Sequence, residues 1–356
     1  MPVKIKTGLV GFGIAGKAMH APFLAVSDEY EIVAVLERNR EDSRLLFPHA
    51  IIVRSFEELL QTGIDLVIIT TPNETHFPYA IQALAAGKNV VLEKPFANSG
   101  AEALALIEAA KQSGKILSVF QNRRYVSDFL TVKEIVEKKL LGDIHEYEGR
   151  YDRYRPEARP NAWREEAMPG SGILFDLGAH LIDQALYLFG LPQTITADVR
   201  CQRPHARVDD FFDVRLDYGF LRATLRAGML VLQPGPRYLL HGTAGSFIKY
   251  GDDPQEARLR NGELPNTADW GLEAEKWYGQ LSLIKDGVVQ HQSYASRKGY
   301  YGYYYQNLYQ VIVNGAELTE KPEHGYNTIR LIELAFKSSE EKITIPCDNL
   351  LQVKYR

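Results

Sequence analysis

The stretch that most constrains this chain is Gly11-Phe12-Gly13-Ile14-Ala15-Gly16, which follows directly on Lys4–Val10, a run that reads as a strand, and opens a segment that reads as a helix. In that setting a G-x-G-x-x-G string has a mechanism. The first glycine permits a tight turn, the second lets backbone approach a pyrophosphate, and the third lets helix and strand pack closely. The phosphates then lie at the positive end of the helix. Downstream, Glu31–Leu36, Asp65–Thr70, Asn89–Leu92 and Lys115–Phe120 read as further strands. Thr75–Ala86 and Ser99–Ser113 carry apolar residues at helical spacing and stop at Gly87 and Gly114. Strands alternating with helices favour a doubly wound parallel sheet of α/β type.

Beyond Val126 the texture changes. A helix over 128–140 precedes Asp143–Tyr154, Thr194–Arg200, Phe211–Tyr218, Arg222–Leu230, Tyr238–Gly242 and Ser246–Tyr250, strands without intervening helices. That pattern predicts an α+β domain with a large, mostly antiparallel open sheet, closed by a last helix over Tyr326–Ser339. The expected division is 1–122, a dinucleotide-binding domain, and 123–356, a substrate-binding and oligomerisation domain. A length of 356 residues agrees with two domains of ordinary size. Hydrophobic residues at 45% and charged residues at 24% exclude a disordered chain. With 41 basic and 45 acidic residues the formal charge is −4, which supplies no general field to draw nucleic acid or an anionic membrane. No apolar run approaches the roughly 18 residues of a membrane span, and Met1–Thr7 lacks a signal-peptide core. The two cysteines, Cys201 and Cys347, offer neither a disulfide framework nor a zinc site, so a cytoplasmic location is expected.

Candidate chemistry clusters at strand ends. Glu37, 21 residues after Gly16, is placed to accept hydrogen bonds from the adenine-side ribose of NAD. Arg38 and Arg40 beside it would attract the 2′-phosphate of NADP, and the balance leans slightly to NAD. Thr71, Pro72, Asn73 and His76 fall at the carboxyl edge of the next strand, where doubly wound sheets hold ligands, although Asn73 is equally a helix cap and His76 a packed residue. Glu93-Lys94-Pro95 puts an ammonium group at the same edge, where it suits proton transfer or a hydrogen bond to a substrate oxygen. In Asp176-Leu177-Gly178-Ala179-His180-Leu181-Ile182-Asp183, a helix over 176–188 gathers Asp176, His180 and Asp183 on one side, and a carboxylate near an imidazole makes an acid/base group. Zinc ligation by the same three residues, or a structural helix start, are the alternatives; no cysteine or H-E-x-x-H accompanies them, and no metal is expected. Arg150, Arg153, Arg155, Arg159 and Arg164 interleave with Tyr151, Tyr154 and Trp163, which suits a loop over a polyol better than single-stranded nucleic acid, since Asp152 and Glu157 dilute the charge. Of Tyr300, Tyr301, Tyr303, Tyr304, Tyr305 and Tyr309, at least half are expected to be core or interface aromatics.

In their order and spacing, Gly11/Gly13/Gly16, Glu93-Lys94-Pro95 and Asp176-x-Gly178-x-His180-x-x-Asp183 resemble the Gfo/Idh/MocA oxidoreductases over the whole chain, Asn122-Arg123-Arg124 and the late tyrosine-rich helix included. The chain is most like their scyllo-inositol dehydrogenase-like and related sugar or polyol dehydrogenase members. The resemblance implies a Rossmann domain followed by an α/β domain whose open sheet forms a homodimer or homotetramer, with NAD or NADP as cofactor. It implies Lys94 as catalytic lysine, His180 as acid/base histidine and Asp176 as the accompanying carboxylate. Asn122 and Glu93 join the cofactor-binding residues; Arg124, Arg153, Tyr154 and Trp163 join Asp176 and His180 around the substrate. NADP-using relatives often end the second strand in small or hydroxyl residues with a nearby arginine, and Glu37-Arg38 departs from that.

The expected activity is hydride transfer between a CH–OH carbon of a sugar or cyclitol and NAD(P), with His180 taking the hydroxyl proton, Lys94 holding the same oxygen and Asp176 orienting them. The fold alone also permits a non-catalytic dinucleotide- or sugar-binding regulator, or a cofactor-assisted glycosidase. Lys94, Asp176 and His180 together disfavour the regulator.

Overall fold

The computed structural model describes residues 3–157 and 165–355. Arg159, Trp163 and Arg164 lie outside the described residues. The chain divides into two compact units, the first built from Met1–Tyr125, Pro254–Trp270 and Tyr300–Tyr326, the second from Val126–Asp253, Gly271–Gly299 and Asn327–Arg356.

In the first unit, β1 (Ile5–Val10), β2 (Tyr30–Leu36), β3 (Ile51–Val53), β4 (Leu66–Ile69), β5 (Asn89–Leu92) and β6 (Leu117–Val119) form a parallel sheet in the order β3-β2-β1-β4-β5-β6. The strand order reverses between β1 and β4, which opens a crevice beyond their carboxyl ends. Leu9, Val10, Val35, the four residues of β4 and Val90–Leu92 are wholly buried, so the strands read as apolar runs rather than alternations. Helices α1 (Ala21–Ala25), α2 (Phe56–Leu60), α3 (His76–Ala85) and α4 (Gly100–Ser113) connect them. Ser99 caps α4 by accepting the Glu102 amide, and Gly114 ends it in the left-handed region at φ +62°. The short β3 and α2 carry too few residues for a periodic signal.

The second unit opens with α5 (Ser127–Glu137). Its sheet runs β14-β13-β12-β11-β7-β10-β9-β8-β15. The strands are β7 (Ile144–Arg150), β8 (Thr194–Arg200), β9 (Phe211–Asp217), β10 (Arg222–Gly228), β11 (Tyr238–Gly242), β12 (Gly245–Lys249), β13 (Gly279–Lys285), β14 (Val288–Tyr294) and β15 (Ile345–Pro346). Neighbours pair antiparallel except β7 with β10, which are parallel. The mostly antiparallel sheet is therefore present, with three strands that sequence patterning missed. β14 is exposed along nearly its whole length and has no wet/dry alternation to read. A wide π-helical turn, Leu174–Gly178, leads into α6 (Ala179–Phe189), whose Leu181, Ile182, Ala185 and Leu186 are buried.

Two late segments complete the first unit. They contain α7 (Gln255–Arg260) and α8 (Gly302–Asn314). Buried Gln255 ties them together: its Oε1 accepts from Trp270 Nε1 at 3.1 Å and from the Tyr301 amide at 3.0 Å, and its Nε2 donates to the Tyr125 carbonyl at 3.2 Å. Tyr301, Tyr304, Tyr305 and Tyr309 are core residues, so most of the tyrosine cluster serves packing. The final helix, α9, spans Pro322–Glu341. Its Ser338 and Ser339 hydroxyls accept the amides of Ala197 and Val199 on β8. Among the described residues no helix is long and apolar enough to cross a membrane.

Candidate active site

The three glycines of the first loop have separate tasks. Gly11 adopts φ +92°, a conformation that side chains resist. A Cβ on Gly16 would lie 2.4 Å from the Gly11 carbonyl oxygen and 2.9 Å from Thr70 Oγ1, so only hydrogen fits where helix meets strand. Gly13 is different: a Cβ there meets nothing within 4 Å. It faces open space beyond β1, flanked by half-buried Phe12 and Ala15 and by the exposed side chain of Ile14. The loop thus presents bare backbone to a cleft, which fits a dinucleotide pyrophosphate. Thr70, the first residue of the stretch at the carboxyl edge of β4, fastens this turn to the end of that strand by sharing its hydroxyl between the Val10 and Gly11 carbonyls, both at 3.0 Å.

Glu37 is corrected. Rather than facing a ribose, its carboxylate is buried and turned into its own chain, accepting the Asp42 amide at 3.1 Å, the Ser43 amide at 3.0 Å and the Ser43 hydroxyl at 2.5 Å. It anchors the short turn Asp42–Leu45 as an anion at a helix start. Arg38 and Arg40 remain exposed, with Arg40 Nη1 3.7 Å from Asp42 Oδ2.

At the ends of β4 and β5 two loops are stitched together. His76, wholly buried at the start of α3, sets Nδ1 2.9 Å from the Pro95 carbonyl and Nε2 2.9 Å from the Thr71 carbonyl. Burial pushes its imidazole down, and the two carbonyl contacts oppose that. His76 is therefore a brace between the loops. Pro72 is exposed, and Asn73 is buried in the single turn Asn73–Thr75 rather than capping α3, with the Asn98 amide group donating to its carbonyl at 3.3 Å. Glu93 and Lys94 are both half-buried; the Lys94 amide donates to Glu93 Oε2 at 2.9 Å, and the Lys94–Pro95 peptide is cis. Asn122 is buried in the turn after β6.

Arg124, expected beside the substrate, is also corrected. Its side chain is buried, with Nη1 donating to the Thr319 carbonyl at 3.2 Å, Nη2 3.2 Å from His324 Nδ1, and Glu320 as an ion-pair partner at 3.7 Å. A guanidinium so engaged in the interior is structural.

In the second unit, half-buried Asp176 lies in the wide turn Leu174–Gly178, and buried His180 and Asp183 follow on α6. π-Helical turns frequently mark functional sites. The ring of Tyr151 stands 6.4 Å from that of His180 at 61°. Tyr151 is held from its other neighbours by Arg237, whose guanidinium carbon sits 3.2 Å from the ring centroid while Nε pairs with Asp128 at 3.2 Å. Arg153 is half-buried and Tyr154 exposed, on an irregular extension of β7 bridged to Leu230. Among the described residues no group of three or more His, Cys, Asp or Glu could hold a metal ion.

The residue that starts the Asp176–His180 helix was not legible in the sequence. Asp209 Oδ2 accepts the Leu174 amide at 2.7 Å, and its carbonyl accepts the Ile173 amide at 3.0 Å. Gly172, at φ +87°, leaves the space, since a Cβ there would lie 1.8 Å from Asp209 Oδ1. Burial raises the Asp209 carboxyl to about 6.

A parallel sheet with a bare glycine turn at its switch point, followed by a second, largely antiparallel sheet unit, is the architecture of a two-unit dinucleotide-binding protein. The sequence matches the family model described as an oxidoreductase family NAD-binding Rossmann fold over residues 5–121, and its C-terminal alpha/beta domain over residues 133–346. The chain belongs to the Gfo/Idh/MocA oxidoreductase family. It is 42% identical to the scyllo-inositol 2-dehydrogenase (NADP(+)) IolW of Bacillus subtilis, covering 96% of this chain and 95% of that one. It is 38% identical to the uncharacterized oxidoreductase YdgJ of Escherichia coli, over 97% and 99%. The Bacillus subtilis structure solved under the name yvaA superposes with a TM-score of 0.95 at 42% identity, covering 97% of this chain and 99% of that chain.

Two measurements check this geometry. Gly13→Val is expected to keep the wild-type melting temperature yet lose cofactor binding in a fluorescence titration, whereas Gly16→Val is expected to lose stability itself. Because the Asp209 carboxyl is raised in the fold above its unfolded value near 4, its ionisation destabilises the wild type as pH climbs from about 4 to 6. Asp209→Asn keeps an acceptor without the charge. Its melting temperature is expected to gain on the wild type across that window and to hold the gain at pH 8.

Proposed function

We propose that this protein is a dehydrogenase of a sugar or cyclitol, moving a hydride between a CH–OH carbon and a nicotinamide dinucleotide, with NADP preferred. The observation that carries the reading is the glycine turn with Gly13 open to the cleft. The substrate class is supported by the scyllo-inositol activity named for the Bacillus subtilis relative. The NADP preference rests on Glu37: its charge is spent on residues 42 and 43 and that of exposed Glu41 is paired with Arg44 and Arg54, which leaves exposed Arg38 and Arg40 as fit partners for a 2′-phosphate. The same relative carries NADP(+) in its name.

The dinucleotide supplies the hydride acceptor or donor. Lys94 donates a hydrogen bond to the reacting oxygen and stabilises the charge that develops there. His180 accepts the hydroxyl proton, and Asp176, four residues before it, fixes its tautomer. Thr71, Pro72, Asn73, Asn122 and Arg38 are assigned to the cofactor, and Arg153, Tyr154 and Trp163 to substrate hydroxyls. Among these, buried Asn73 and Asn122 act from the fixed turns that hold them.

Turnover of scyllo-inositol and a panel of aldoses, with NADP+ and NAD+ in parallel, tests the proposal. The expected result is a higher kcat/KM with NADP+, falling toward parity in Arg38→Ser/Arg40→Ser. Lys94→Met and His180→Ala are each expected to lower kcat by about 10²-fold or more with dinucleotide affinity within a few-fold. Near-normal kcat in either variant would remove that residue's role, and no oxidation of any polyol would leave a dinucleotide-binding regulator.

A further inference from the structure

The interior of the first unit holds a run of polar groups that the chemistry above does not use. His20 ends the π-helical turn Ala15–His20 that the glycine loop opens, and it is wholly buried. Its Nδ1 lies 2.5 Å from the Tyr305 hydroxyl on α8, and its Nε2 lies 3.0 Å from Glu93 Oε1. Phe120 covers the imidazole with ring centroids 4.1 Å apart. The other carboxylate oxygen, Glu93 Oε2, accepts the Lys94 backbone amide. Polar groups are costly in such a place unless each is satisfied, and here they satisfy one another in series.

The proton inventory gives the series one direction. Burial keeps the Tyr305 phenol protonated, so its O–H donates to Nδ1 and the Nε2–H donates to Glu93. Burial alone would raise the Glu93 carboxyl, but the hydrogen bond from His20, the Lys94 ammonium and the Lys94 backbone amide outweigh it and hold it below the usual carboxylate range. The titratable groups facing Glu93 are His20, Lys94 on its own loop, His76 of α3, and Tyr304 and Tyr305 of α8. The Tyr30 hydroxyl donates to the Tyr305 carbonyl at 2.7 Å, which fixes that end.

We propose that His20 and Tyr305 are positioning residues for Lys94: they orient the Glu93 carboxylate, and that carboxylate fixes the backbone and the local charge from which the Lys94 ammonium is presented. The proposal rests on the role given to Lys94 above. A misplacement of about 1 Å at a reacting group costs on the order of 10²-fold in rate, so a rigid mount for a flexible lysine has a kinetic consequence.

The test uses full-length protein carrying ¹³C-carboxyl-labelled glutamate, with the Glu93 signal assigned through Glu93→Gln. Its titration midpoint is read by NMR in the wild type, His20→Phe, His20→Gln and Tyr305→Phe, without any ligand. Removing the imidazole donor is expected to raise the midpoint by about one pH unit or more, and His20→Gln, which can still donate, to recover part of the shift. Activity with NADP+ and scyllo-inositol is expected to fall about 10-fold or more in His20→Phe, mainly in kcat, with the acid limb of the pH profile moved upward in step with the midpoint. A Glu93 midpoint unchanged in both His20→Phe and Tyr305→Phe overturns the proposal, and so does wild-type kcat in His20→Phe alongside a disabled Lys94→Met. Wild-type kcat in Lys94→Met instead defeats the reading of Lys94, a distinguishable result. If His20→Phe does not fold, Tyr305→Phe, which removes one hydroxyl, decides through the same midpoint.

Discussion

The first unit depends on a contact with no room in it. Gly16 must lack a side chain because the Gly11 carbonyl oxygen would stand 2.4 Å from its Cβ, and that closeness sets the helix after β1 tight against the strand end. Thr70 completes the closure by donating to the same carbonyl. Four residues further on, His20 enters the interior and meets Glu93 at the end of β5. A sequence feature that reads as a phosphate cradle is therefore also the first link in the mount of the lysine proposed to act on substrate. The loop bearing Lys94 is braced a second time, through His76, which joins Pro95 to Thr71.

The second unit solves a similar problem with one carboxylate. The segment bearing Asp176 and His180 begins with backbone amides that need acceptors, and Asp209 supplies both its side chain and its carbonyl. Neighbouring Asp210 is spoken for, accepting from the Gln202 amide and from the amide and Nε of Arg203. Adjacent aspartates thus have different partners: Asp209 accepts the Leu174 amide, whereas Asp210 has the buried Arg203 against it. Both wide helical turns of the described chain, Ala15–His20 and Leu174–Gly178, lie where side chains are being aimed, not where a helix simply starts.

What could be read in advance was local. The glycine loop, the alternation of strands and helices, the lysine at a strand end and the Asp176–His180 spacing all lie within a few residues of their own signals. What could not be read was the partner of each charge. Glu37 looks like a ribose acceptor until Ser43 folds back onto it, and Arg124 looks available until Thr319, Glu320 and His324 arrive from almost 200 residues away. A still longer separation, 285 residues, hides Tyr305 from His20, and the return of residues 254–270 and 300–326 to the first unit is hidden in the same way. Strand β14 escaped for another reason, since an exposed edge carries no burial pattern.

The central claim is that a dinucleotide lies against the Gly11–Gly16 turn and is coupled through the same buried helix start to the Lys94 loop. Hydrogen–deuterium exchange of the wild type with and without saturating NADP+ reads this most directly, because bound phosphates and a tightened turn slow the amides they engage. Slower exchange is expected in peptides covering residues 11–20, with accompanying protection at 38–43 and 93–96. Binding of NADP+ that leaves 11–20 unchanged while protecting other segments would contradict it.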